Sequence, residues 1–402
     1  MQFAKTLFKN RETGKSEYLL DKMIGLEPKE RMTEDAEAKL LEEAVQTSYR
    51  RGGKVASLTT DVTKQTVKNK IHELKFPKNA EKPKIKKVVD YLYIDADEDH
   101  VSLQFREHKG DLIRNDNNQK NNCLITKLIY VYEGTEREAP KSHRYRLVNP
   151  YYFCGVNTGE ENHRFWDEVY EYLDSHYDLS KVKKIYANSD GGAWIMAGIK
   201  RIEGAIHVLD GFHLETYLTK LTSHMKDTKD DAKQELRDCI RSQTKADFIK
   251  LVDRLEEYPN AGLERMEKAR EYILCNWSAA KRRLKHKDGV KGSSTEGHVS
   301  HVLSSRMSSR PLGWSVIGAT NMARLRAYYY NGGDMLELVR FQEKEIPKAA
   351  GAEEYNLLSS AQIISSERHR HGELGKYTET ISHSISLQSK KKMYFNSHIW
   401  GL

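Results

Sequence analysis

The chain has 402 residues, 38% hydrophobic and 31% charged, enough for two or three domains with a substantial core. No apolar run approaches a membrane span, and the opening MQFAKTLFKNRETGK lacks the apolar core of a signal peptide. Basic residues exceed acidic ones, 66 to 58, which is compatible with a polyanionic partner without requiring one, and four scattered cysteines (Cys123, Cys154, Cys239, Cys275) without CxxC spacing argue against a disulfide framework or structural zinc and fit reduced thiols.

In chain order, NRETGK reads as a turn between two short strands. MTEDAEAKLLEEAVQTSYRRGG follows with helical periodicity. Thr33 stands at its cap, acids fill its first turn, and Gly52 and Gly53 are expected to end it. VASLTTDVTKQTVKNKIHEL offers two helical segments meeting near Asp61 and Val62. Ser57, Leu58, Val62, Val67 and Ile71 take the buried positions of a helix-turn-helix. The second segment then presents Lys64, Gln65, Lys68 and Asn69 as groove-reading residues. A helical, helix-turn-helix-like N-terminal domain over 1–74 and a basic linker over 75–87 are expected.

Behind the linker the character changes. VVDYLYIDAD and DHVSLQFRE read as two strands joined by a turn at Glu98 and Asp99, and CLITKLIYVYEG as a third. RYRLVNPYYFCG extends the sheet only at an edge or end, because of Pro150. ENHRFWDEVYEYLDSHY is an amphipathic helix, KVKKIYANSD a fourth strand, GAWIMAGIKRI a short helix and AIHVLDGFH a fifth strand leading into another helix. An antiparallel hairpin beside a parallel pair joined by short helices is the arrangement of an RNase H-like sheet. A doubly wound fold would begin βαβ. The expectation is therefore an α/β catalytic core of RNase H-like type, a mixed five-stranded sheet with helices. Its first part covers 88–213, an all-helical insertion 214–290, and closing helices and tail 291–402.

Such a sheet performs phosphoryl transfer with carboxylates that hold two divalent metals. It needs acids on the first strand, at the end of the fourth and on a late helix. YIDADED offers Asp95 and Asp97 on one strand face, with Glu98 pointing away. Asp190 ends the fourth strand in ANSDGGAW. Gly191 and Gly192 are read as clearing space beside it for metal and DNA backbone. Glu296 opens a late helix, where an ordinary first-turn acid capped by Thr295 or Ser294 is the alternative. Asp210 and His213 stand three apart where the fifth strand becomes a helix. Basic clusters at 75–87, 281–287 and 390–392 favour nucleic acid, against solvated faces. Trp277, beside KRRLKHK, is read as packing in the core or stacking on unpaired bases.

YLYIDADEDHVSLQ, ANSDGGAWI, VLDGFHLETYL and TEGHVSHVLSSRMSSRPLGWS together resemble the ISLre-type family of bacterial insertion-sequence transposases, more distantly the Mutator-like ones. The resemblance extends over nearly the whole chain to the final SHIWGL. It implies a DD(E) recombinase with Asp97, Asp190 and Glu296 as catalytic, metal-holding acids and Asp95 as the rival of Asp97. It also implies an Asp-x-x-His signature at Asp210 and His213, and two Mg²⁺ or Mn²⁺ ions. Terminal inverted repeats and target DNA would be the partners, met by a homodimer or larger assembly in the cytoplasm on the nucleoid, with no membrane. Arg306 and Arg310, beyond Glu296, are expected to meet phosphates. Members of that family carry sequence ahead of FAKTLFKNRETGK, so a shortened copy is expected, with repeat recognition left open. The expected reaction is hydrolysis at the element's ends followed by 3′-OH strand transfer. A structure-specific nuclease that cuts without joining, and an inactive DNA-binding relic, are the alternatives.

Overall fold

The computed structural model describes residues 6–20, 32–57, 61–77, 82–104, 123–258, 262–285, 295–310 and 312–343. Leu58, Ser294, the cluster at 390–392 and the final SHIWGL lie outside them. A small hairpin, Phe8–Lys9 (β1) with Ser16–Glu17 (β2), is followed among the fully described elements by the helices Glu34–Gln46 (α1), Tyr49–Val55 (α2) and Lys64–Glu73 (α3). The sheet begins with Tyr91–Ser102 (β3) and Cys123–Tyr132 (β4). A separate hairpin follows, Gly134–Arg137 (β5) with Tyr145–Val148 (β6), and then Tyr151–Gly155 (β7). Glu160–His176 (α4), Lys184–Ser189 (β8), Ala193–Ile199 (α5) and Ala205–Leu209 (β9) complete this part.

The five long strands form one mixed sheet in the order β7-β4-β3-β8-β9. β3 pairs antiparallel with β4, and β4 with β7, while β8 runs parallel to both β3 and β9. Pro150 directly precedes β7, an edge strand, where a missing N–H costs no ladder bond.

The expected turn at Glu98 and Asp99 does not exist. β3 runs straight through, with Glu98 opposite Lys127 and Asp99 opposite Thr126. The acidic run is held by partners rather than by solvent. Thr126 Oγ1 donates to the Asp99 carbonyl at 3.1 Å and Ser308 Oγ to its carboxylate at 2.7 Å. The two strands expected at 88–107 are thus one, and β7 makes the fifth.

Alternation along β3 sorts its side chains. Leu92, Ile94 and Ala96 join Phe165, Trp166, Val169 and Leu173 of α4 in one core. Tyr93 faces the opposite side, among Tyr130, Tyr132, Tyr152 and Tyr186. That second core also contains Leu40 and Leu41 of α1, Val67 and Ile71 of α3, and Met322 and Leu338 from two late helices, Val316–Tyr330 and Met335–Glu343. The N-terminal helices are therefore part of the body that holds the sheet, not a separate domain beyond a linker.

Gly52 and Gly53 do not end α1. That helix stops at Gln46, and Ser48 caps α2 by accepting the Arg51 N–H at 3.2 Å. A Cβ at Gly53 would stand 2.1 Å from the Val62 carbonyl oxygen. Glycine here lets the chain after α2 fold back against it.

After β9 come five helices: Gly211–Thr222 (α6), Lys229–Ser242 (α7), Lys245–Glu256 (α8), Leu263–Cys275 (α9) and Trp277–Lys285 (α10). They enclose a core of their own that includes Leu214, Leu236, Phe248, Ile273 and Trp277. Trp277 tilts against Phe248 at 5.5 Å and is 8% exposed, so core packing, not base stacking, is its place. Beyond residue 294, Thr295–Val299 (α11) passes through a π-helical stretch, Ser300–Ser304, into Ser305–Met307 (α12). Carbonyls displaced by such a stretch need donors. The buried guanidinium of Arg326 bonds those of His301 and Val302, and that of Val45 at 2.9 Å.

Candidate active site

The register of the parallel strands brings the acids to one level. Asp95 on β3 lies beside Asn188 on β8, so Asp97 and Asp190 both stand two residues further toward the carboxyl end. Ser189 pairs with Leu209, and the Asp210 N–H donates to the Ser189 carbonyl at 2.8 Å. Asp97, inside β3, thus stands level with Asp190 and Asp210 at the carboxyl ends of the parallel strands β8 and β9, where ligand crevices of open α/β sheets lie.

Asp97 is half-buried, and its carboxyl is pushed up to about 6. Burial is the main cause, and the facing charges of Asp190 and Glu296 add to it. The Glu98 N–H, at 2.8 Å, and His213 act against it. Glu296 sits exposed in the first turn of α11. Thr295 does not cap that helix. Its hydroxyl donates to Asp95 Oδ2 at 3.3 Å, tying α11 to β3.

Asp95 has a different place from Asp97. It is fully buried and accepts from Tyr130 and Tyr132 hydroxyls at 3.1 Å each and from Asn188 Nδ2 at 2.6 Å. With Thr295, its carboxylate fastens β3, β4, β8 and α11 together.

The turn after β8 is held from three sides. Asp190 Oδ1 accepts the Gly192 N–H at 2.8 Å, and the Gly191 N–H donates to Ser189 Oγ at 3.1 Å. The Tyr272 hydroxyl, from α9, donates to the Asp190 carbonyl at 2.5 Å. Gly191 has φ +90°, and a Cβ there would meet Asn276 Oδ1 at 2.5 Å. The space it clears is filled by the helical insertion, not by an open approach to Asp190.

Asp210 caps α6, its Oδ2 accepting both the backbone N–H of His213 at 3.0 Å and its ring Nδ1–H at 3.1 Å. Burial alone would raise the Asp210 carboxyl, but these bonds hold it below its ordinary value. The same ring bond, against burial, raises His213. Among the described residues, no three His, Cys, Asp or Glu side chains stand close enough to hold a metal ion between them. The charges of Asp190 and Glu296 bear on Asp97 across wider separations.

Arg306 is corrected by its surroundings. It is 5% exposed, donates to the Ala44 carbonyl at 3.0 Å, and lies over the rings of Tyr49 and Trp314 at 5.5 and 5.1 Å. Burial pulls its guanidinium down to about 10. It is a buried strut, not an exposed phosphate contact. Three cations of the cluster at 281–287 are likewise engaged. Lys281 bonds the Gln243 carbonyl at 2.8 Å, Arg282 that of His207 at 2.9 Å and Arg283 that of Leu209 at 2.8 Å. Arg283 also reaches Asn188 Oδ1 at 2.6 Å, directly behind the acids. Lys64, Gln65, Lys68 and Arg310 line a cleft elsewhere, whereas Asn69 accepts from Gln65 at 2.9 Å. Among the described residues no helix is long and apolar enough to cross a membrane.

The family described as an uncharacterised protein family, UPF0236, matches residues 1–345. A UPF0236 protein of Caldanaerobacter subterraneus subsp. tengcongensis is 35% identical over 86% of this chain and 69% of its own length. A second from that organism is 35% identical over 86% of this chain and 65% of its own length. The UPF0236 protein in the vanSb 3′ region of Streptococcus gallolyticus is 26% identical over 80% and 69%. The chain thus spans between 65% and 69% of the length of these relatives. A solved Drosophila P element transposase strand transfer complex aligns over 81% of this chain and 84% of its own, with 8% identity and a TM-score of 0.25. That likeness is too slight to bear on fold or function.

Proposed function

The chain belongs to the UPF0236 family, and from that premise we propose that it is a DNA transposase of an insertion sequence, cutting at the element's ends and joining the freed 3′-OH to target DNA. The observation that carries the reading is the common level of Asp97 and Asp190 on neighbouring parallel strands, with Glu296 near enough that its charge and that of Asp190 add, after burial, to the rise of the Asp97 carboxyl. Strand order and direction support an RNase H-like sheet, since an antiparallel hairpin lies beside a parallel pair. Multiplicity among relatives points the same way. One relative's name covers eleven loci of a single genome, and copies in that number are what a mobile element leaves behind.

The donor set fits hard divalent cations. Three carboxylates stand on three separate elements, and burial first, then the charges of Asp190 and Glu296, keeps the Asp97 carboxyl raised. Asp97, Asp190 and Glu296 would hold two Mg²⁺ or Mn²⁺ ions, which when bound supply an activated attacking oxygen and charge stabilisation for the leaving one. The chain's own part is to keep those acids in register. Asp95 with Thr295 fixes Glu296 against β3, and Tyr272 fixes the backbone of Asp190. Asp210 orients His213, holds a proton on its Nδ1 and favours the protonated ring, whose Nε2–H can then donate to a phosphate oxygen. Hydrolysis leaves a 3′-OH on one side of the cut and a 5′-phosphate on the other. In strand transfer that 3′-oxygen replaces water as nucleophile, and the displaced 3′-oxygen of the target takes up a proton. No covalent protein–DNA bond is required. A homodimer or larger assembly, bringing two DNA ends together in the cytoplasm, completes the reading.

The test uses DNA flanking the gene. With Mg²⁺, the purified chain cuts at inverted repeats bordering it and joins a pre-cleaved end to a target plasmid. Cutting without joining leaves a nuclease instead, and neither activity sinks the reading.

A further inference from the structure

Away from the acids, α3, Arg310 and residues from Leu312 to Gly318 line a cleft of about 400 Å³. Gln104, on its lining, lies seven residues beyond Asp97 along extended chain, which puts it roughly 20 Å from the acids. Lys64, Lys68 and Arg310 line this cleft. No hydrogen bond or ion pair among the described residues engages their charged heads, so three positive charges face one small space unneutralised. The rest of the lining includes Tyr49, Leu312 and Trp314. The Tyr49 hydroxyl is buried there with no hydrogen-bond partner among the described residues.

We propose that this cleft binds one nucleotide unit of an unpaired DNA strand, its phosphate held by Lys64, Lys68 and Arg310 and its base against Tyr49 and Leu312, with the buried Trp314 backing them. The ligand class follows from the pairing of unneutralised cations with an aromatic and aliphatic surface, the combination that binds single strands. Size decides between paired and unpaired DNA. A cleft this small holds about one nucleotide, whereas a duplex presents a major groove about 12 Å wide to an inserted helix. Lys64, Gln65 and Lys68, expected on a protruding groove-reading helix, instead form one wall of a concavity. The choice of a DNA strand rests on the transposase reading. The cleft itself uses none of the metal-holding acids.

The experiment is fluorescence anisotropy with a labelled thymidine 12-mer, without divalent metal, on the full chain and its variants. The wild type is expected to bind the single strand. Lys64→Gln/Lys68→Gln and Arg310→Gln should each weaken it about tenfold, with the double variant's salt slope about 1.4 shallower. Arg310→Lys should keep most of the affinity, and melting temperatures and affinity for blunt duplex should stay unchanged. Competition by free thymidine monophosphate assigns the site to a mononucleotide, and competition only by longer strands assigns it to a strand. Single-strand affinity that survives both sets of substitutions overturns the proposal, as does duplex affinity that falls in step. Variant-sensitive binding without any cleavage by the wild type would sink the transposase reading and spare the cleft.

Discussion

The indole nitrogen of Trp194 donates to Glu98 Oε2 at 2.9 Å. The bond fastens the strand that carries Asp97 to the helix that follows Asp190. Lys127 adds to the joint, its ammonium 4.9 Å above the Trp194 ring and bonded to the Asn157 carbonyl at 2.7 Å. Trp194→Phe keeps most of the packing and removes the donor. It should cost about 1 kcal/mol in urea unfolding. DNA cleavage should slow by about tenfold at unchanged DNA affinity, because two reacting groups lose their mutual position. An unchanged cleavage rate would show that this joint positions nothing.

Asp95 and Asp97 should respond oppositely to loss of charge. Asp95→Asn puts an amide among donors that all need an acceptor, and should destabilise by about 2–4 kcal/mol. Asp97 has a folded value raised to about 6, so between its ordinary value and about 6 the native state binds more protons than the unfolded one. Stability from this group therefore falls as pH rises through that window. Asp97→Asn should gain about 1–2 kcal/mol at pH 8 after solvent screening. Denaturant titrations of the two variants at pH 8 decide the matter, and equal losses would contradict it.

His298 is pushed down to about 4, first by burial and then by His301. Its ring packs on Tyr130 at 4.8 Å, and its Nδ1 meets the Tyr152 hydroxyl at 3.1 Å. Below its ordinary value the unfolded chain takes up a proton that the folded chain refuses. Stability should fall as pH drops from about 6.5 to about 4, by about 2–3 kcal/mol in all. His298→Gln should flatten that slope in pH-dependent melting. A slope unchanged in the variant would place the titrating group elsewhere.

Gly191 combines a left-handed backbone with a side chain pressed against it. Gly191→Ala should cost about 1–3 kcal/mol. Adding Asn276→Ser should recover only part of this, since it relieves the contact but not the backbone strain. Full recovery in a double-mutant cycle would mean that contact alone demands glycine there.

Much of this arrangement was legible in residue patterns, and the exceptions have physical causes. Alternation along YIDADED set Asp95 on the face opposite Glu98, and Asp95 bonds Tyr130 and Tyr132 while Glu98 bonds Trp194, because side-chain direction in a strand is purely local. The acidic run after it looked like a turn because the partners that steady Asp99, Thr126 and Ser308, are distant in sequence. The same reason hid the supports of the acids. Tyr272, Asn188, Thr295 and Arg283 are ordinary in their own segments and acquire meaning only when the insertion packs on the strand ends. Arg306 misled because a helix shows its charged residues without showing which neighbours cover them. Gly52 and Gly53 misled because glycine serves close packing as well as helix termination.

The central claim is that Asp97, Asp190 and Glu296 act together on DNA. Its most direct test is Mg²⁺-dependent release of 3′-OH ends from DNA carrying the gene's own flanks. The assay compares the wild type with Asp97→Asn, Asp190→Asn and Glu296→Gln, each checked for an unchanged melting temperature or the gain predicted for Asp97→Asn. The account predicts cleavage by the wild type and a loss of about a thousandfold or more in every variant. Cleavage by Asp190→Asn within about tenfold of the wild type would contradict it.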